Sequence, residues 1–147
     1  MTGRKLVDIR KSGDLSEPVE SHVTLDSVIP MAVELYRNRG FHRPWISYVA
    51  VENDRPIGTC TFKSPPVDGR VEIAYWTFPD SEGKGVGTWM ARQLLELAQR
   101  RDPTVRVFAQ TLPEESASTS ILRKLGFTRD GSVEHPEDGT VWEWSMR

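Results

Sequence analysis

The reading of the fold turns on FPDSEGKGVGTWM, Phe78 to Met90, in which Gly83, Gly85 and Gly87 alternate and Lys84 stands between the first two. Just before it, VEIAYWTF (71–78) is rich in β-branched and aromatic residues and predicts a strand. Just after it, ARQLLELAQRR (91–101) predicts a helix that starts at about Gly87. Met90, Ala91, Leu94, Leu95 and Ala98 form its apolar stripe, and Arg92 and Glu96 can pair at i, i+4. Glycine has no Cβ, so the backbone here can come within hydrogen-bonding distance of an anion. The helix that follows aims its unpaired N–H groups and positive dipole end at the same spot. Its first turn, Gly-Thr-Trp-Met, carries no acid. The turn therefore predicts an anion seat, against the rival reading of a tight connector that holds nothing.

Two familiar anion motifs do not fit. A phosphate loop of the form G-x-x-x-x-G-K-[ST] fails, because Gly83-Lys84 is followed by Gly85 and Phe78 stands where the earlier glycine is needed. The dinucleotide fingerprint G-x-G-x-x-G fails on spacing, and the strand before the turn ends a meander rather than opening a parallel unit.

Working outward, KLVDIR (5–10) predicts a first strand and Leu25–Arg39 a helix that Pro30 divides or that holds Pro30 in its first turn. WISYVAVE (45–52), the turn NDRP and IGTCTFK (57–63) predict a hairpin, with VEIAYWTF as its third strand. Beyond the long helix, which Asp102-Pro103 stops, VRVFAQTL (105–112) predicts a strand. Pro113-Glu114-Glu115 opens a third helix with proline and acids in its first turn, and Gly126 ends it. FTRDGSVEH (127–135) and TVWEWSM (140–146) predict a closing hairpin around PEDG.

The totals narrow the class of function. A chain of 147 residues predicts a single domain over 1–147, and its net charge of -2 gives no footing for nucleic-acid or membrane binding. No apolar run approaches the roughly 20 residues of a membrane span, and the N-terminal MTGRKLVDIRKSGD has no signal-like apolar core. Cys60, the one cysteine, reads as a structural thiol, and a cytoplasmic setting fits.

The glycine turn and its flanks resemble the GNAT superfamily of N-acetyltransferases. Glu82-Gly83-Lys84-Gly85-Val86-Gly87 is similar to that family's [QR]-x-x-G-x-[GA] turn at both glycines. ASTSILRKLGF (117–127) resembles its late helix, with Lys124, Gly126 and Phe127 at the expected places, and the order of elements agrees. The clear resemblance covers about Trp45 to Phe127. It implies an α/β fold of the acyl-CoA N-acyltransferase kind: a mixed, mostly antiparallel central sheet of about six to seven strands flanked by helices. It further implies a transferase moving acetyl from acetyl-CoA to a primary amine by direct transfer in a ternary complex, without a metal. The acceptor would be a small-molecule or peptide amine.

The same resemblance carries roles onto particular residues. The CoA pyrophosphate would sit on Gly83, Lys84, Gly85, Val86, Gly87 and Thr88, beside Glu82, which stands where the family usually has Gln or Arg. The pantetheine arm would pair like an extra strand near Trp76, Thr77 and Phe78. Glu72 opens E-I-A-Y as a glutamate opens the same strand in the histone-acetyltransferase branch, where it acts as the base; the bland alternative is a strand-end glutamate in water. Many members place a tyrosine proton donor where this chain has Leu122. Ser118, one turn earlier on the same helix face, could donate instead or be a small packing residue. These departures leave a non-catalytic acyl-CoA-binding module as the alternative, and a longer acyl donor stays open. FHRPW (41–45), Trp45 and Trp76 are candidates for the acceptor groove. His22, His42 and His135 read as surface or loop residues, and Trp142 with Trp144 as core or as a homodimer interface.

Overall fold

The computed structural model describes residues 3–146; Met1, Thr2 and Arg147, the ends of the expected unit, lie outside the described residues. The elements run β1 (Arg4–Asp8), α1 (Val23–Arg39), β2 (Ser47–Glu52), β3 (Arg55–Phe62), β4 (Arg70–Thr77), α2 (Val86–Arg101), β5 (Arg106–Thr111), α3 (Ala117–Lys124), β6 (Phe127–His135) and β7 (Gly139–Met146). One sheet of seven strands, in the order β1-β2-β3-β4-β5-β7-β6, holds them together. Every neighbouring pair is antiparallel except β4 and β5. The mixed, mostly antiparallel sheet expected from the sequence is the one observed.

Helices lie on both faces of the first half of the sheet. Val49, Ala50, Ile57 and Cys60 are buried, as strands covered on both sides should be. α2 packs on the face of Gly58, where an added Cβ would meet the Met90 side chain at 2.9 Å. α1 lies across the opposite face, and its Tyr36 hydroxyl donates to the Ile9 carbonyl (2.7 Å) and accepts from the Ser47 N–H (2.8 Å). Pro30 neither divides α1 nor sits in its first turn; the helix runs straight through it, on a face where Pro30 itself is exposed. α3 also departs from expectation. Its N-cap is Ser116, in a reciprocal capping box with Thr119, so Pro113-Glu114-Glu115 precede the helix and its first turn carries no acid. Glu115 instead pairs with Arg123, whose hydrogen bonds hold its carboxyl below the usual range.

The parallel join matters most. β4 and β5 pair only over Arg70–Glu72 and Arg106–Phe108. Arg70 clamps this closed end: it bonds Glu143 of β7 at 2.8 Å and lies 4.1 Å over the Phe108 ring. Beyond Glu72 the strands part. β4 stays with β3 out to Thr77, and β5 stays with β7 from Phe108 to Thr111. The sheet is thus split into two halves by a wedge-shaped cleft.

Candidate functional site

The wedge is lined by Ile73 and Tyr75 from β4, Ala109 and Thr111 from β5, and Ser118 and Leu122 from α3, around a cavity of about 370 Å³. Residue parity says which backbone faces it. The Phe78 N–H donates to Ile57 (3.0 Å), and the Glu72 carbonyl accepts from Lys63 (2.9 Å). Even-numbered residues of β4 therefore spend their backbone groups on β3, and Ile73, Tyr75 and Thr77 turn theirs toward the wedge. Of the three residues expected beside a pantetheine arm, Thr77 has its N–H and C=O on that edge, while Phe78 has its N–H committed.

The glycine turn sits at one end of the wedge. A single 3-10 turn, Pro79–Ser81, leads into Gly83 (φ 78°) and Gly85 (φ 74°). These left-handed values are why glycine stands at both places. A Cβ on either would meet no protein atom within 4 Å, so the space over the turn is open. Gly85 is the N-cap of α2, no side chain caps the helix, and its first turn, from Val86 through Gly87 and Thr88, holds no acid. Its leading N–H groups accordingly face outward unpaired by the helix itself. Gly87 has a different reason to be glycine: a Cβ there would come within 2.8 Å of Ile121, so α2 and α3 close on each other at this point. Arg4 braces the turn, donating to the Lys84 carbonyl at 2.9 Å while paired with Glu52. Glu82 and Lys84 are exposed.

A second cavity, of about 440 Å³, lies on the other side of the sheet between α1 and the strands. Val28, Met31, Leu35 and Trp76 give it apolar walls; Lys63, Arg39, Glu137 and Asp138 give it charge of both signs. Trp76, one of the two tryptophans expected in a pocket wall, is 48% exposed and lines this groove. Trp45 does not. It is buried with its ring edge-on to Phe62 at 5.0 Å, and FHRPW runs outside the groove, with Phe41 packed on Tyr36 and Arg43 paired with Asp8. Its pattern of aromatics served the core rather than the site.

Glu72 lies at the closed end of the wedge on the groove-facing side of β4, with its carboxylate 3.2 Å from the Lys63 ammonium and little exposed. Ser118 and Leu122 share the wall of the wedge, as the i, i+4 spacing required; Leu122 is wholly buried. Of the histidines, His22 caps α1, stacks on Phe78 at 4.9 Å and bonds Asp80 at 3.1 Å. His135 lines the groove, against the reading of it as a loop residue, with Nδ1 accepting from the Glu137 and Asp138 N–H groups at 3.2 Å each. No periodicity could place it there, because the tip of the β6–β7 hairpin meets the groove only in the folded chain. Cys60 is buried, and burial pushes its thiol up, which suits a structural role. Trp144 is core, donating to Thr111 at 3.0 Å, and Arg129 lies over Trp142 at 4.2 Å.

The arrangement resembles known acetyltransferases. The ribosomal L7/L12 alpha-N-protein acetyltransferase RimL, solved with coenzyme A, superposes with a TM-score of 0.71 over 99% of this chain and 94% of its own, at 17% identity. The aminoglycoside enzyme AAC(6')-Ib, solved with paromomycin and acetyl-CoA, gives a TM-score of 0.59 and 28% identity over 69% of this chain and 63% of its own. In sequence, the uncharacterized N-acetyltransferase p20 of Bacillus licheniformis is 30% identical over 86 residues. That match takes in 58% of this chain and 48% of the relative, so the chain spans about half the length of the curated protein it matches. Among the described residues, no helix is long and apolar enough to cross a membrane. The acetyltransferase (GNAT) domain model matches residues 15–128, most of the chain, and the protein belongs to that family.

Proposed function

We propose that the protein is an acetyl-CoA-dependent N-acetyltransferase that moves the acetyl group to a primary amine by direct transfer in a ternary complex. One observation carries this reading: the wedge between β4 and β5 has an open glycine turn at its mouth and meets the α1 groove through the sheet, at Ala74 and Tyr75, which line both cavities. A donor threaded through the wedge and an acceptor laid in the groove would meet there.

Acetyl-CoA fits the first site. Its pyrophosphate suits the outward N–H groups of Gly83 to Thr88, and its amide-bearing arm suits the β4 edge left unpaired at Tyr75 and Thr77. A backbone N–H on that edge would polarise the thioester carbonyl. Glu72 would take the amine's proton, its carboxylate oriented by Lys63. Holding two reactants in one geometry supplies much of the acceleration. The groove's apolar walls with both charges at hand suit an amine on an amphipathic body, small molecule or peptide.

The test is amine-dependent thiol release from acetyl-CoA across polyamines, aminoglycosides, amino acids, lysine peptides and peptide N-termini. Turnover with any class supports the reading. CoA binding with no turnover on any of them would favour the non-catalytic module.

A further inference from the structure

Breaking a thioester expels a thiolate, and something must stabilise that charge inside the wedge. Ser118 and Leu122 line the wall from α3, but Leu122 brings only carbon. Two other hydroxyls of the lining are engaged: that of Thr111 donates to Leu112 and accepts from Trp144, and that of Ser116 caps α3. Tyr75 is different. Its phenol crosses the open part of the wedge from β4 to α3, where it donates to the Ser118 carbonyl at 3.3 Å. A bond that long is weak and readily exchanged for a stronger acceptor. Tyr75 also belongs to the two-residue junction shared by the donor slot and the acceptor groove.

We propose that Tyr75 is a catalytic residue whose phenol O–H leaves the Ser118 carbonyl and donates a hydrogen bond to the thioester sulfur as the thiolate departs. The inference rests on the acetyl-CoA reading above. In the step, the amine nitrogen bonds the carbonyl carbon, the C–S bond breaks, and its electron pair goes to sulfur. The amine's proton goes to the base. The phenol keeps its own proton, because burial pushes its acidity well away from that of a thiol. It is thus a donor throughout rather than an acid, and the thiolate takes its final proton from solvent on release.

The experiment needs no knowledge of the acceptor. CoA is titrated onto the protein, and the thiol of bound CoA is followed from its ultraviolet thiolate absorbance across pH, in the wild type and in Tyr75→Phe. Desulfo-CoA serves as the blank. The wild type should hold bound CoA below the value of free CoA, and Tyr75→Phe should raise it by about one to two pH units, the worth of one hydrogen bond to a charged group. Desulfo-CoA should bind both proteins equally. Equal thiol titration in the two proteins, or no lowering in the wild type, overturns the role of Tyr75 while leaving the CoA site intact. Failure of the wild type to bind CoA or desulfo-CoA overturns the acetyl-CoA reading itself.

Discussion

Gly85→Ala separates a glycine that shapes the chain from one that makes room for a ligand. Gly85 has φ 74° and nothing within 4 Å of a would-be Cβ. The left-handed backbone costs an alanine about 1–2 kcal/mol, which for a chain of this size lowers Tm by roughly 2–8 °C. Gly69, in the turn before β4, is the internal control, for it too has φ 74° and open space around it. Gly69→Ala should cost the same stability. The two should part on acetyl-CoA binding. If the open space over Gly85 seats the pyrophosphate, the new methyl displaces at least one charge-assisted N–H bond worth about 1.5–3 kcal/mol, an affinity loss of about ten- to a hundredfold or more. Gly69→Ala should bind normally. Gly85→Asn adds a test of cause, because asparagine tolerates the left-handed region: stability should largely return and binding should not. Thermal melts and calorimetric titration read both quantities. If Gly85→Ala and Gly69→Ala lose equal stability and neither loses affinity, the turn is a connector and the reasoning fails.

Glu72→Gln should flatten the alkaline-rising limb of the pH–rate profile and slow turnover by about 10²–10⁴-fold; an unchanged profile and rate would remove Glu72 as the base. Glu82→Arg should tighten acetyl-CoA binding modestly, since two exposed charges a few ångströms apart interact by about 1 kcal/mol, and weaker or equal affinity would show that Glu82 faces away from the phosphates. Alkaline stability should fall. Burial raises Tyr36, Tyr48, Tyr75 and Cys60 in the folded state. Above the unfolded values of about 8.5 for the thiol and about 10 for the phenols, the unfolded chain sheds protons that the native chain keeps. Each such group then costs about 1.4 kcal/mol per pH unit. Denaturant melts from about pH 8 to about pH 11 should steepen in their loss of stability near pH 10; a flat profile would contradict the burial of these four groups.

Much of this was legible in the chain, and the reason differs by element. The meander and the helix after the glycines follow from residue periodicity and turn chemistry, which are local. The glycine turn was legible because a left-handed backbone leaves a composition signature. The wedge was not. VEIAYWTF and VRVFAQTL predict strands, but nothing in either says that pairing stops at Glu72 and Phe108. What holds the paired ends together, the clamp of Arg70 on Glu143 and Phe108, is likewise a contact between distant segments. Start signals also compete. Pro113-Glu114-Glu115 offered a plausible first turn, and Ser116 with its reciprocal bonds to Thr119 won. Pro30 signals a helix break, yet α1 runs through it, since a helix well packed on one side tolerates one missing bond on its exposed side. FHRPW looked like a groove wall by composition, yet Trp45 found Phe62 and Arg43 found Asp8. The groove instead took His135, Glu137 and Asp138 from the far hairpin, a placement that only tertiary structure determines.

The most direct test of the account is calorimetric titration of the protein, freed of bound ligand, with acetyl-CoA, CoA and ATP in parallel. The open glycine turn and the wedge together predict that both CoA forms bind and ATP does not, because ATP offers phosphates to the turn but no arm for the β4 edge left unpaired at Tyr75 and Thr77. Equal binding of all three would reduce the site to a phosphate seat. Binding of none would contradict the central claim that the space over Gly83 and Gly85 exists to receive acetyl-CoA.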